Sequence, residues 1–230
     1  RGQGSLNWAN PYVAYVSDNA FFNNTGPFYG HRYRVQMGAY TGGSGFMSYL
    51  ADLRRYDAVI FSLLTFATRV NVDMNVGPGE GLFQKYIGYP DYLHGYDREN
   101  YVSAQCDQAT GANCTAAYTQ LIGSRYAIAN AELRFPLIRR FDLGFLPITL
   151  PPIEGHIFYD AGMAWNAGQS VSLTRPANYN FDKQRYPLRS YGYGIRMNLF
   201  NIAILRWDYA VPRDSFSKKG YWWFSLGPSF

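Results

Sequence analysis

Nine stretches of this chain alternate large apolar side chains with polar or small ones, residue by residue, and the polar partners include arginine, aspartate and glutamate. Successive side chains of a β-strand point to opposite faces, so each stretch builds one apolar and one polar face. The stretches lie near 11–20, 32–40, 46–56, 62–76, 125–137, 155–166, 189–200, 202–211 and 220–230. In the fourth, Leu64, Phe66, Val70, Val72, Met74 and Val76 share one side, and Arg69, Asn71, Asp73 and Asn75 the other. The fifth sets Ala127, Ala129, Ala131, Leu133 and Phe135 against Asn130, Glu132 and Arg134. The seventh sets Tyr191, Tyr193, Ile195, Met197 and Leu199 against Gly192, Gly194, Arg196 and Asn198; the eighth sets Leu205, Trp207, Tyr209 and Val211 against Arg206 and Asp208.

A soluble sandwich also alternates, but its polar face looks at bulk water and carries many lysines. Here the polar face mixes both signs of charge, as expected of groups paired across a confined lumen. The candidate lumen set is Arg69, Asp73, Glu132, Arg134, Arg196, Arg206 and Asp208. A charge turned to lipid instead would cost about 2–4 kcal/mol at the bilayer midplane, which accounts for the clean partition. The last residues, Phe224-Ser225-Leu226-Gly227-Pro228-Ser229-Phe230, continue the alternation and stop on an aromatic carboxyl terminus. Phe224, Leu226, Gly227 and Phe230 read as the signal of a closing strand whose aromatic end sits in an interfacial girdle. The fold class expected is all-β, an antiparallel transmembrane β-barrel.

Composition agrees. Aromatic residues make up 18% of the chain and charged residues 16%, against about 25% charged in soluble domains. Mean hydropathy is −0.26, and no run approaches the ~18 apolar residues of a spanning helix. The net charge of +5 comes from scattered arginines rather than one basic stripe, which argues against nucleic acid as a partner. Cys106 and Cys114 lie close together in a polar, turn-rich stretch with no second pair to complete a zinc site. A short-loop disulfide is expected there, formed in an oxidising compartment.

Connection lengths alternate too. Short links follow the third and seventh stretches; long ones, 77–124 and 167–188, follow the fourth and sixth. Barrels of this kind have short periplasmic turns and long external loops, so with the final strand ending in the periplasm the long segments fall outside. The link 138–154 is too long for a tight periplasmic turn. The first stretch then runs inward from the cell surface, and nine is an odd number. Residues 1–230 are therefore expected to be the carboxyl-terminal half or more of one larger, even-stranded barrel, with amino-terminal strands and any periplasmic domain preceding them.

The loop 77–124 contains Gly88-Tyr89-Pro90-Asp91-Tyr92-Leu93-His94-Gly95-Tyr96-Asp97. Leu93-His94-Gly95-Tyr96 resembles the aliphatic-Arg-Gly-aromatic motif at the tip of the sixth external loop in the bacterial surface antigen superfamily, which includes BamA-type assembly factors, TamA-type relatives and two-partner-secretion transporters. The resemblance implies that this loop folds into the lumen and contacts a strand motif of the form Phe-x-Asp-x-Gly. Phe158-Tyr159-Asp160-Ala161-Gly162 has that form, two strands later, with Phe158, Asp160 and Gly162 on the lumen face. Asn130-Ala131-Glu132-Leu133-Arg134-Phe135-Pro136 and Asp208-Tyr209-Ala210-Val211-Pro212 follow the family order as well. One departure stands out: the family arginine is His94, which offers fewer donors, and Arg98 or Arg125 is the candidate source of the missing guanidinium. Asp52-Leu53-Arg54-Arg55-Tyr56, Ile87-Gly88-Tyr89-Pro90 and the paired cysteines resemble the surface-antigen proteins that carry a TolB-like propeller upstream.

Catalysis is not expected. His31, His94 and His156 have no metal or triad spacing, Ser44 lies in a Gly-rich turn without a nucleophile elbow, and no phosphate loop is present. No cofactor and no soluble small-molecule substrate are implied. The resemblance implies assembly or translocation of proteins or other envelope components at the outer membrane of a Gram-negative bacterium. Outer-membrane lipid and client or partner envelope proteins are the expected partners. The alternative is a passive porin-like channel or a structural barrel subunit, which needs no loop–strand contact.

Overall fold

β-Branched and aromatic residues fit a pleated surface, and all nine alternating stretches are strands in the computed structural model, which describes residues 8–60, 63–97, 118–138, 141–143, 148–180, 182–199, 202–215 and 219–227. They are β1 (Tyr12–Asp18), β2 (Pro27–Tyr40), β3 (Phe46–Ile60), β4 (Leu64–Val76), β5 (Arg125–Ile138), β6 (Ile153–Trp165), β7 (Leu188–Leu199), β8 (Ala203–Pro212) and β9 (Tyr221–Leu226). Each pairs antiparallel with the next in chain order, giving one meandering sheet from β1 to β9. Among the described residues β1 and β9 share no ladder, so the sheet is curled but open.

The longer strands suit a bilayer. Fourteen residues rise about 46 Å along the strand, or about 33 Å across a membrane at a tilt near 45°. Their burial is inside out. Val70, Ile157, Tyr193, Trp207 and Phe224 are among the large apolar residues left exposed on the convex face, while Arg69, Glu132, Arg134, Arg196, Arg206 and Asp208 are buried on the concave one. Trp207 is 52% exposed and its neighbour Arg206 only 2%. In water that ordering would be untenable, because buried charge is costly and exposed apolar surface gains nothing. Facing lipid outward and protein inward, it is what each side chain prefers.

Two connections explain how the lower end is built. The long link after β5 contains a small hairpin, Phe141–Leu143 paired with Ile148–Leu150, so its length reflects an extension of structure rather than a loose turn. Between β1 and β2 the chain folds inward: Phe21–Phe22 pairs back on the start of β2, and the turn reaches across the concavity. There Arg134 Nη1 donates to Pro27 O at 2.9 Å, and Asn198 Nδ2 donates to Asn24 O. Strands far apart in sequence are thus bridged beneath the lumen.

The hydrophobic core lies inside the curl. Ile87, Leu93, Tyr96 and Leu121 from the loop pack on Tyr126, Ile128, Ala164, Tyr186 and Leu188. Among the described residues no helix is long and apolar enough to cross a membrane, which leaves crossing by strands untouched.

Replacing outward-facing Val70 with arginine is expected to lower the stability of the protein in phosphatidylcholine vesicles by about 2–4 kcal/mol. Denaturant titration of the heat-modifiable species measures it; an unchanged midpoint would place this face in water.

Candidate functional site: a loop seated on the lumen face

The loop is fastened first near its ends. After Gly77 the chain makes a short 3-10 turn, Glu80–Leu82, and Lys85–Tyr86 pairs with Ile122–Gly123. Glu80 accepts from Arg125 Nη2 at 2.6 Å, Ser124 Oγ at 3.1 Å and the Ala167 amide at 2.9 Å. Burial alone would raise its carboxyl; the Arg125 hydrogen bond and the other donors outweigh that and hold it below the ordinary 4.5. A lowered folded value means that this anchor contributes fully above the ordinary carboxylate range and is lost as pH falls through the lowered value. Lys85 Nζ lies 2.6 Å from Asp73 Oδ1, tying the same limb to β4.

Pro90 then turns the chain inward. Its fixed φ suits the second position of a turn, and Tyr89 O accepts from Tyr92 N at 2.8 Å and Leu93 N at 2.9 Å. The turn leaves backbone acceptors aimed at the sheet. Arg69 Nη1 donates to Asp91 O at 3.1 Å while its other nitrogens hold Asp52, and Asn130 Nδ2 donates to Tyr92 O at 2.9 Å. At the tip Gly95 adopts φ +80°, a left-handed conformation that costs other residues about 1–2 kcal/mol. Tyr96 closes the motif by donating its hydroxyl to Arg189 O at 2.8 Å. Arg189 is itself clamped by Asp214 at 2.7 and 2.8 Å.

His94 sits at the centre. Its backbone N–H reaches Asp160 Oδ2 at 3.1 Å, and its Nδ1 lies 2.5 Å from the same oxygen. Asn130 Nδ2 donates to the other carboxylate oxygen at 2.8 Å, and Ser190 Oγ lies 3.4 Å from Oδ2. The imidazole leans on Phe158 with ring centroids 4.2 Å apart, and Leu93 packs over Gly162. Phe158, Asp160 and Gly162 of β6 therefore all face the loop tip.

Below the tip a charge network spans β5 to β8. Arg196 and Arg206 are paired directly across two strands, an arrangement that repels unless an anion intervenes. Glu132 supplies it, contacting Arg196 Nη2, Arg134 Nη2 at 3.0 Å and, at 3.8 Å, Arg206 Nη2. Asp208 Oδ2 is 2.5 Å from Arg206 Nε, and Asp208 Oδ1 is 2.8 Å from His156 Nε2. Gly194 makes room for this: a Cβ there would lie 2.1 Å from Asp208 Oδ1 and 2.7 Å from His156 Cε1.

The structure thus brings His94 to Asp160 and gathers Glu132, Arg134, Arg196, Arg206 and Asp208 into one cluster, with Arg69 against the Asp91–Tyr92 turn and Asp73 at the loop's outer limb. The guanidinium beside His94 is not Arg125, which Glu80 holds, but Arg206 of β8, whose Nη2 lies 2.9 Å from His94 Nε2. Arg98, Cys106, Cys114, Pro228 and Phe230 lie outside the described residues. Phe224 and Leu226 face outward on β9, and Gly227 N–H donates to Ile204 O at 2.9 Å, carrying the ladder one residue past the strand. Sequence reasoning passed over Glu80; its signal was an acid isolated between two glycines in an otherwise aromatic loop. Ser190 and the loop carbonyls left none.

Gly194→Ala is expected to cost about 1–3 kcal/mol by overpacking, and Gly95→Ala about 1–2 kcal/mol by its left-handed φ. Thermal midpoints of the folded band measure both, and Gly162→Ala, whose Cβ would find ordinary contacts no closer than 3.4 Å, should shift the midpoint less than either.

No curated protein matches the chain. Its sequence does match the Omp85 superfamily domain across residues 12–230, which takes in all nine strands, the loop and the His94–Asp160 contact. The chain belongs to the Omp85 superfamily, an outer-membrane β-barrel family of protein assembly and translocation.

Proposed function

We propose that this barrel assembles or translocates proteins at the outer membrane of a Gram-negative bacterium, and that the loop 77–124 is the element that closes its lumen. The observation carrying this reading is the seating of Leu93–Tyr96 on Phe158, Asp160 and Gly162. A passive channel needs a clear passage, whereas here the buried core itself lies between loop and strands. An enzyme would need a reactive group placed to act, and the cluster on the lumen face is an ion-paired set of three arginines and two carboxylates.

Client handling falls to the edge at β9. That strand has six residues against ten in β8, so the seam where it meets the barrel's first strand is held by few ladder bonds. Exposed backbone donors and acceptors on an edge template another strand. Trp222, Phe224 and Leu226 point outward from it, so an incoming strand would meet an apolar, aromatic neighbour. Any upstream periplasmic domain would deliver the client, and outer-membrane lipid would surround the convex face.

The test joins two measurements on the full-length protein in proteoliposomes. Insertion of an unfolded β-barrel substrate should be faster than in empty liposomes. Planar-bilayer recordings should show a closed wild type and an open Asp160→Ala variant, since removing one partner of a buried pair costs about 3–5 kcal/mol. An open wild-type pore with no acceleration of insertion would support the passive channel instead.

A further inference from the structure

Arg206 is buried on the inward face of β8, and its donors organise the loop tip. Nη2 lies 2.9 Å from His94 Nε2 and 3.4 Å from His156 Nε2, and Nε lies 2.5 Å from Asp208 Oδ2. A guanidinium has donors only and stays protonated in proteins. Two N–H groups cannot share a 2.9 Å contact, so His94 Nε2 carries the lone pair. On the other side of the ring Nδ1 faces a carboxylate at 2.5 Å, where it can only donate. His94 is therefore a neutral imidazole with the proton on Nδ1, committed at both nitrogens.

We propose that Arg206 is the positioning residue that holds the loop tip from β8, and that His94, as its neutral acceptor, makes this hold acid-sensitive. The inference rests on the reading of the loop as the element that closes the lumen. Histidine is the side chain whose charge changes between about pH 5 and 8. A proton on Nε2 would turn an acceptor into a donor directly against the Arg206 N–H.

The neighbours on every side bear on the outcome. β5 presents Asn130 and Glu132, β6 His156 and Asp160, β7 Ser190 and Arg196, and β8 Arg206 and Asp208, while the loop itself brings the Asp91 carboxylate within electrostatic reach of Arg206. Asp160 attracts an imidazolium, but it accepts from Nδ1 in either state, so it gains no new hydrogen bond. The alternative acceptor for Nε2 is Asp208 Oδ2, 3.6 Å away and already against Arg206 Nε. Protonation thus loses a 2.9 Å hydrogen bond and adds a cation beside a cation. The ring relieves this by withdrawing, and the tip leaves with it.

Hydrogen–deuterium exchange of peptides covering residues 87–97 tests the proposal on the full-length protein in nanodiscs, with rates corrected for intrinsic pH dependence. Wild-type protection should drop at least about tenfold from pH 7.5 to 5.5, an effect of histidine charge. His94→Gln, which donates and accepts without titrating, should change less than about threefold over that range. Glu80 stays ionised throughout, since Arg125 and its other donors hold it below the ordinary value. At pH 7.5 His94→Arg should lose protection, Arg206→Gln should lose it too, and the double variant should recover most of it. Protection that is equal at both pH values, or that falls equally in His94→Gln, overturns the inference while leaving the loop's role intact. So does a double variant no better than either single. A wild-type loop unprotected at pH 7.5 overturns the underlying reading. Should the arginine variants fail to fold, the wild-type and His94→Gln profiles decide alone.

Discussion

Charge buried in a lumen must be answered by other buried charge, and Glu132 is where this protein meets that demand. Three arginines converge on its carboxylate from β5, β7 and β8, and without it Arg196 and Arg206 would face each other across a strand pair. Removing one member of such a set is far more damaging than the set is stabilising, because it strands the rest out of water. The strands are thereby held to one register: a slip by a single residue would turn every one of these side chains into lipid.

The same demand makes the loop part of the barrel rather than a cover on it. Arg69 and Asn130 each donate to a loop carbonyl, and Asp160 accepts from the His94 amide and ring. Apolar contacts supply the bulk of the burial through Ile87, Leu93, Tyr96 and Leu121, while the polar contacts fix where the tip comes to rest. Glycines permit the fit at two places of different kinds. Gly95 supplies a backbone conformation, and Gly194 supplies empty space beside Asp208.

Much of the fold was legible because period two is a strong signal when lipid and lumen enforce opposite chemistries. Val70 beside Arg69 and Trp207 beside Arg206 announce two faces without reference to any partner. The hairpin within 138–154 was not legible, because its short strands carry no alternation long enough to register. At the site, the motif residues could be singled out by their resemblance to the family motifs, but the origin of the guanidinium could not. Arg206 and Arg125 look alike in sequence; which one reaches His94 depends on the β7–β8 register and on Glu80 capturing Arg125, both properties of the assembled sheet. Backbone acceptors such as Asp91 O and Tyr92 O are invisible to any reading of side chains.

The meander has a consequence for the order of events during folding. Neighbouring strands are neighbours in sequence, so the sheet can grow by adding one strand at a time, most closures spanning a short stretch of chain and two spanning the long connections that follow β4 and β6. The loop tip is an exception. His94 precedes Asp160 by 66 residues and Arg206 by 112, so its resting place does not exist until β6 and β8 have been added. A growing sheet therefore carries an unseated loop through most of its construction, and seating reports that the lumen wall has been completed as far as β8.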